Sequence, residues 1–331
     1  MRRAALVLCA VVAGALSSGC ASAPKSAGGD FDRYLEEFEA VRSQGEELYL
    51  KAGVVADARV QVSTGAAQAA LEARLDALRL VARYNRLLIA LARGEDPKAL
   101  KSEMNTIGGK LSAYRPSAQA QQFALASAVP YLGALVQGAA FVRDALAKRR
   151  FMSAVHEAQK PIALILDILV ADSAPLEELL VQDLRRQQDP SRARVDGVGS
   201  RYYRKLTGLR SDAELQRGLE RLNALRARAG RPPIPYEPGP KTAAATPDER
   251  ELLQALVDEA ETAALESARL DERVEAQRAL FSRYREALAA AKRSLAALNG
   301  DSDAARDTET DRFSAQALDL RRQAVRLKEG P

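Results

Sequence analysis

Side chains that could carry out chemistry are few in this sequence. It contains two cysteines, Cys9 and Cys20, and one histidine, His156, which is too few for a metal site rich in cysteine or histidine. A lone histidine with charged neighbours is typical of a helix surface or of a hydrogen bond between helices. The segment 108–110 (GGK) lacks the serine or threonine that follows the lysine of a phosphate-binding loop, and no GxSxG sequence occurs. We therefore predict no catalytic residue, no metal site and no cofactor.

Cys20 ends a segment with the layout of an export signal. Arg2 and Arg3 precede an uncharged run from Ala4 to Leu16, and small residues then lead to the cysteine. A positive start, a short apolar run and a small-residue exit are typical of secretory signals. A helix needs about 20 apolar residues to cross a bilayer, and this run is shorter, so we do not expect it to be a spanning helix.

The residues 17–20 (SSGC) resemble the lipobox of bacterial lipoproteins, in which small residues precede a cysteine that becomes the mature N-terminus. Serine stands at the position where that family prefers a large aliphatic residue. The resemblance covers this segment alone, and it implies cleavage between Gly19 and Cys20 followed by attachment of lipid to Cys20. It also accounts for the cysteine usage, because Cys9 would be removed with the signal and the remaining thiol would be capped.

The residues after the cysteine imply a destination. In lipoproteins this position influences sorting, and Ala21 in place of aspartate implies the periplasmic side of a Gram-negative outer membrane. Residues 20–30 are small or polar and include glycine and proline, which predicts a flexible tether between the lipid and the folded body. The alternative is an ordinary secretory signal, cut near Ala21 or Ala23, which would discard Cys20.

The rest of the sequence predicts an all-α protein. Tryptophan is absent, aromatic residues make up only 5%, and alanine, leucine, arginine and glutamate dominate, as they do in long helices. Apolar residues recur at helical spacing over 30–51, 65–93, 96–114 and 212–228. Aspartate, proline and glycine residues within 189–199 predict a loop. We expect an elongated helical bundle with a C-terminal antiparallel coiled-coil-like hairpin.

The C-terminal region carries the most regular helical pattern. The segment 246–249 (TPDE) predicts a helix start, with threonine as the N-cap and glutamate completing a capping box. From there to Leu298, apolar and small residues recur in steps of three and four, the pattern of a coiled coil. A last helix with Phe313 and Leu320 at the same spacing is expected to fold back along it. Small seam residues favour packing within one bundle, and a coiled coil between two chains is the alternative.

A chain of 331 residues is long enough for one large domain or two ordinary ones. The proline-rich stretch 231–247 is the best linker, because consecutive prolines exclude helix and favour extended backbone. We therefore divide the chain into a signal peptide (1–19), a tether (20–30), a helical bundle (31–230), the linker (231–247) and a helical hairpin (248–331) that packs on the bundle.

One apolar segment has two interpretations. No charged residue lies between Arg115 and Arg143, and Phe123–Val142 is long enough to span a bilayer. Alanine and glycine make up much of this segment, which favours a central bundle helix surrounded by the others. The competing interpretation is a membrane-inserting element, as in some helical pore-forming proteins.

Charge is distributed unevenly along the chain. Residues 183–231 contain thirteen basic and six acidic side chains, whereas 248–311 contain sixteen acidic and nine basic ones. The plain interpretation is that the basic segment docks against the acidic ones, including the acidic first helix. The alternative is contact with anionic lipid or a cell-wall polymer. An exported protein rarely meets nucleic acid, so we expect no nucleic-acid partner.

These observations predict a membrane-anchored lipoprotein that acts as a non-enzymatic binding or scaffold module in the cell envelope. Its expected partners are membrane lipid, through acylated Cys20, and an envelope protein or cell-wall component. A membrane-active protein that inserts Phe123–Val142 is the second hypothesis, and an enzyme on a helical scaffold is a minor third.

Overall fold

The computed structural model describes residues 25–59, 64–113, 151–207, 213–235, 245–298 and 302–329. Within these ranges the regular secondary structure is α-helical and no strand occurs, which confirms the predicted all-α class. The helices in chain order are α1 (Lys25–Arg59), α2 (Thr64–Ala92), α3 (Pro97–Ala113), α4 (Phe151–Leu206), α5 (Ala213–Arg228), α6 (Pro247–Leu298) and α7 (Asp303–Glu329).

The chain forms two compact units, each assembled from separate stretches of sequence. Among the described residues, unit 1 contains those up to Tyr49, then those within Gly65–Asp172 and Tyr284–Leu320. Unit 2 contains Leu50–Thr64, Ser173–Arg283 and the residues from Arg321 onward. This division differs from the boundary drawn at the proline-rich stretch, because α4 and α6 each contribute residues to both units.

Local signals set several helix ends as the sequence predicts. At the start of α6, the hydroxyl of Thr246 accepts a hydrogen bond from the Glu249 amide at 3.3 Å, and the Glu249 carboxylate accepts one from the Thr246 amide at 3.0 Å. At the start of α3, the Asp96 carboxylate accepts from the Lys98 amide at 2.9 Å. Gly94 follows α2 with a φ of +81°, a left-handed conformation that glycine adopts without strain.

The C-terminal hairpin is present and antiparallel. Arg293 and Ser294 of α6 contact Glu309 and Thr310 of α7 in unit 1. In unit 2, the side chain of Gln323 donates to the Ala276 carbonyl at 3.2 Å. Later residues of α7 therefore contact earlier residues of α6, as in an antiparallel pair. The predicted seam of α6 is buried except at Leu270, which is partly buried; its members are Leu253, Leu256, Ala260, Ala263, Ser267, Leu270, Val274, Gln277, Phe281, Tyr284, Leu288, Ala291, Leu295 and Leu298.

The loop predicted within 189–199 is wrong, because α4 runs without interruption from Phe151 to Leu206. Pro190 should weaken a helix interior by about 3 kcal/mol, and glycines add to that effect. Against this, Val195, Val198 and Tyr202 are buried along one face of α4 in the core of unit 2. Burial of large apolar side chains contributes about 1.5–3 kcal/mol each, so the packed face outweighs the local breakers.

α1 is longer at both ends than the sequence pattern predicts. It begins at Lys25, so Lys25–Asp30 belong to the helix and not to the expected tether. It also continues past Gly53 to Arg59. The buried stripe extends beyond the predicted end of the helix to Ala52, which explains why one glycine does not stop it.

Each unit has its own core. In unit 1, the ring of Tyr34 packs against two phenylalanine rings. Its centroid lies 6.2 Å from that of Phe38 and 5.2 Å from that of Phe313. In unit 2, apolar residues of α4, α5 and α6 form one cluster. The first residues of the predicted linker pack on α5, where Asn223 exchanges two hydrogen bonds with the Ile234 backbone at 2.8 and 3.1 Å. That part of the proline-rich stretch is therefore held in place.

Candidate functional site

The residues singled out from the sequence lie mostly outside the described ranges. Gly19, Cys20 and the segment Phe123–Val142 all fall there, so lipidation and membrane insertion stay predictions. His156 is exposed on α4. In the described part of the chain, no group of histidine, cysteine, aspartate or glutamate residues is arranged to hold a metal ion. None of the helices in those same ranges has the length and hydropathy needed to cross a membrane.

A buried ion pair lies inside unit 1. The Arg74 guanidinium donates to both carboxylate oxygens of Asp172, with an Nη2–Oδ1 distance of 2.8 Å. The side chains are 6% and 0% exposed, so a substrate has no access to them. Burial raises the pKa of Asp172, although the hydrogen bonds and charge of Arg74 act to lower it. We assign this pair a structural role, because it joins α2 to α4 in the core.

Four buried tyrosines of unit 1 predict an alkaline limit to stability. Burial raises the pKa of Tyr34, Tyr49, Tyr84 and Tyr284 above the ordinary tyrosine value. An unfolded chain releases these protons near pH 10, whereas the folded chain retains them, so the free energy of unfolding should fall as the pH rises above about 10. We expect phenolate absorbance to show that part of the nine tyrosines ionises only with cooperative unfolding. Ionisation of all of them in the folded protein near pH 10 would contradict this prediction.

Ion pairs in unit 2 confirm that the basic segment docks against the acidic α6. One Arg201 nitrogen lies 2.8 Å from both carboxylate oxygens of Glu259, and Arg192 lies 3.5 Å from Asp271. Further pairs of this kind are Arg194–Glu266 and Arg221–Glu261.

The acidic first helix has different partners from those expected. Asp32 of α1 pairs with Arg93, the residue that follows α2, at 2.6 Å, and Glu46 lies 3.8 Å from Arg79 of α2. These carboxylates therefore neutralise arginines of unit 1. The sequence identified the charge imbalance correctly, but net charge alone could not show which helix faces which.

Two adjoining grooves cover one side of unit 2. The first, of about 890 Å³, lies between α4 around Pro190 and α6 around Leu270. The second, of about 480 Å³, continues along the same helices toward Leu180 and Gln277. Both are lined by Gln187 and Arg273, so they form one surface, which we call the α4–α6 groove. It is the candidate functional site.

The α4–α6 groove combines apolar and charged groups. Leu265 is 50% exposed at one end, and Val54 of α1 is 71% exposed at the other. Five cationic and three anionic side chains line it: Lys51, Arg194, Arg269, Arg273, Lys328, Asp183, Glu266 and Glu272. Such a mixed, open surface suits contact with another molecule better than it suits catalysis.

Sequence reasoning missed this groove. The pattern of α6 indicated its buried seam and assigned no role to the residues beside it. One signal was present, because Leu265, Arg269, Arg273 and Gln277 follow one another at four-residue intervals. Only the packing of α4 beside α6 shows that these positions line a depression.

Comparisons with known proteins do not assign the α4–α6 groove. No protein family, no curated protein and no solved structure matches this chain. The function is therefore argued from the chain's own residues.

Proposed function

We propose that this chain is a lipid-anchored lipoprotein of the cell envelope, whose helical body acts as a non-enzymatic binding or scaffold module. The observation that carries the proposal is Cys20, which ends an export-type segment. Cleavage before it would make it the mature N-terminus and the one cysteine retained. The proposed location is the periplasmic side of the outer membrane, in keeping with Ala21 after the cysteine.

The binding part of the proposal is supported by the α4–α6 groove. An exposed depression with half-exposed apolar side chains and unequal charge is the kind of surface on which partner proteins bind. The buried pair Arg74–Asp172 offers no competing site, since its side chains are closed to solvent. A tether at the lipid end would hold such a groove close to the membrane while allowing it to reach an envelope partner.

Replacement of the cysteine tests the anchor. In the full precursor expressed in a Gram-negative host, Cys20→Ser removes the thiol that would carry the lipid. We expect incorporation of labelled palmitate to be lost and the protein to leave the membrane fraction. Cys9→Ser is the matched control, because Cys9 lies in the part removed by cleavage; this variant should be labelled and retained normally. Labelling and membrane retention that persist in Cys20→Ser would overturn the proposed anchor.

A second candidate function rests on Phe123–Val142, which lies in a stretch free of charged residues. In this alternative the segment inserts into a bilayer when triggered. The test is release of a trapped dye from liposomes by the mature chain with Cys20→Ser, at neutral and at low pH. Dye release that is abolished by placing an aspartate pair within the segment supports insertion. Intact liposomes under both conditions favour the binding module.

A further inference from the structure

The α4–α6 groove contains a row of hydrogen-bond donors along α6. Arg269, Arg273 and Gln277 follow Leu265 at four-residue intervals, and all of them line the groove. At a rise of about 1.5 Å per residue, neighbours in the row are about 6 Å apart along the helix. The row therefore runs from an exposed leucine, through two guanidinium groups, to an amide.

These donors lack acceptors within the described part of the chain. Arg269 and Arg273 are exposed and form no ion pair with any of the residues that the structure describes. Gln277 is only 5% exposed, and its Nε2 has no hydrogen-bond partner in those ranges. The two exposed guanidinium groups, which have no partner among the described residues, therefore point to an acceptor-bearing molecule that occupies the groove.

We propose that the α4–α6 groove binds an acidic amphipathic helix of a partner protein, an inference that rests on the binding function proposed above. Carboxylates at four-residue spacing on that helix have the same repeat as the donors of α6, because both helices rise by about 1.5 Å per residue. Arginine donates to carboxylates in short, charge-assisted hydrogen bonds. The apolar face of the incoming helix would cover Leu265 and Val54. The row spans about 18 Å, which corresponds to three or four helical turns.

The charges of the groove favour a helix over other occupants. Asp183, Glu266 and Glu272 also line it, and they would repel a uniformly anionic lipid surface. The chain's own segment 114–150 is a poor occupant, because it carries five basic side chains and one acidic one. A partner helix can place carboxylates opposite the arginines and leave neutral or basic side chains opposite the three acids.

Peptide binding tests this proposal. The protein is the full mature chain with Cys20→Ser, so binding does not depend on the lipid. The probe is a dye-labelled helical peptide with glutamates at every fourth position and leucines on the adjoining face. One control peptide has the same composition with the glutamates clustered, and a second has lysines in place of glutamates. Fluorescence anisotropy should show that the spaced acidic peptide binds about tenfold more tightly than either control.

Charge reversal provides the decisive comparison. The double variant Arg269→Glu with Arg273→Glu should bind the acidic peptide about tenfold more weakly and should gain affinity for the lysine peptide. Arg185→Glu is the matched control, because Arg185 is exposed on α4 but does not line the groove; this variant should bind as the unaltered chain does.

Three results would overturn the inference. The first is equal binding of the spaced and clustered peptides. The second is loss of binding in the double variant without gain for the lysine peptide. The third is binding of phosphatidylglycerol vesicles that depends on both arginines while the peptide does not bind, which would assign the groove to a lipid surface. Each result leaves the palmitate experiment on Cys20 unaffected, so failure of this inference is distinguishable from failure of the anchor.

Discussion

Replacing Asp172 with alanine should lower the free energy of unfolding by about 3–5 kcal/mol, the usual effect of leaving one member of a buried ion pair uncompensated. Arg74 donates to both oxygens of Asp172, and both side chains are almost fully buried. Without the carboxylate, the guanidinium would keep its charge in the core, because arginine does not deprotonate under ordinary conditions. Urea denaturation of the mature chain, followed by circular dichroism, measures the effect.

Asp167 provides the matched control for this substitution. It lies on the same helix and pairs with Lys292 at 2.6 Å, but both side chains are about a third exposed, at 27% and 39%. Asp167→Ala should therefore cost about 1 kcal/mol or less. Replacing both members of the buried pair, as Arg74→Met with Asp172→Leu, should recover most of the loss, since an apolar pair leaves no charge unpaired. Equal effects of Asp172→Ala and Asp167→Ala on the free energy of unfolding would show that the buried pair contributes no more to stability than the exposed one.

Gly218→Ala should destabilise unit 2 by about 2–5 kcal/mol, although the same change in an exposed helix is favourable. An added Cβ at Gly218 would overlap the Tyr202 hydroxyl and lie 3.1 Å from the ring carbon that bears it. Tyr202 is 1% exposed, and its hydroxyl donates to the Leu215 carbonyl at 2.9 Å. The alanine therefore displaces a buried ring and breaks that hydrogen bond.

Two further variants separate the steric effect from helix propensity. Gly197 lies in α4 with nothing near an added Cβ, so Gly197→Ala should stabilise the protein by about 0.5–1 kcal/mol. Tyr202→Phe removes the overlapping oxygen, so it should reduce the effect of Gly218→Ala in a double-mutant cycle. Additive effects of the two substitutions, measured by urea denaturation, would rule out the contact between Gly218 and Tyr202 as the cause.

Much of the fold can be predicted from the sequence because it depends on interactions between residues that are close together in the chain. The heptad pattern of α6 and the capping box at Thr246 involve residues within one or two turns of each other, and both are confirmed. The error within 189–199 arose because proline and glycine signals are local, whereas the burial of Val195 and Val198 depends on helices elsewhere in the chain.

Neither the buried ion pair of unit 1 nor the candidate site could be predicted in the same way. Arg74 and Asp172 are 98 residues apart in sequence, and neither stands out from the many charged residues of its helix. The α4–α6 groove depends on the distance between two helices, which no single-helix pattern contains. What the sequence did contain was the four-residue recurrence of Arg269, Arg273 and Gln277, and its meaning required a neighbouring helix.

The discontinuous make-up of the two units has a consequence for biosynthesis. Unit 1 includes Tyr284–Leu320, and unit 2 includes the residues from Arg321 onward, so an unfinished chain lacks a part of each. Because loop closure precedes the gain from distant contacts, we expect neither unit to complete its folding until the last helices have been synthesised. At about 5–20 residues per second, the ribosome therefore releases a chain that has been incomplete for tens of seconds. Such a delay would fit the proposed export, because a chain that passes through a translocation channel must stay unfolded until it has crossed.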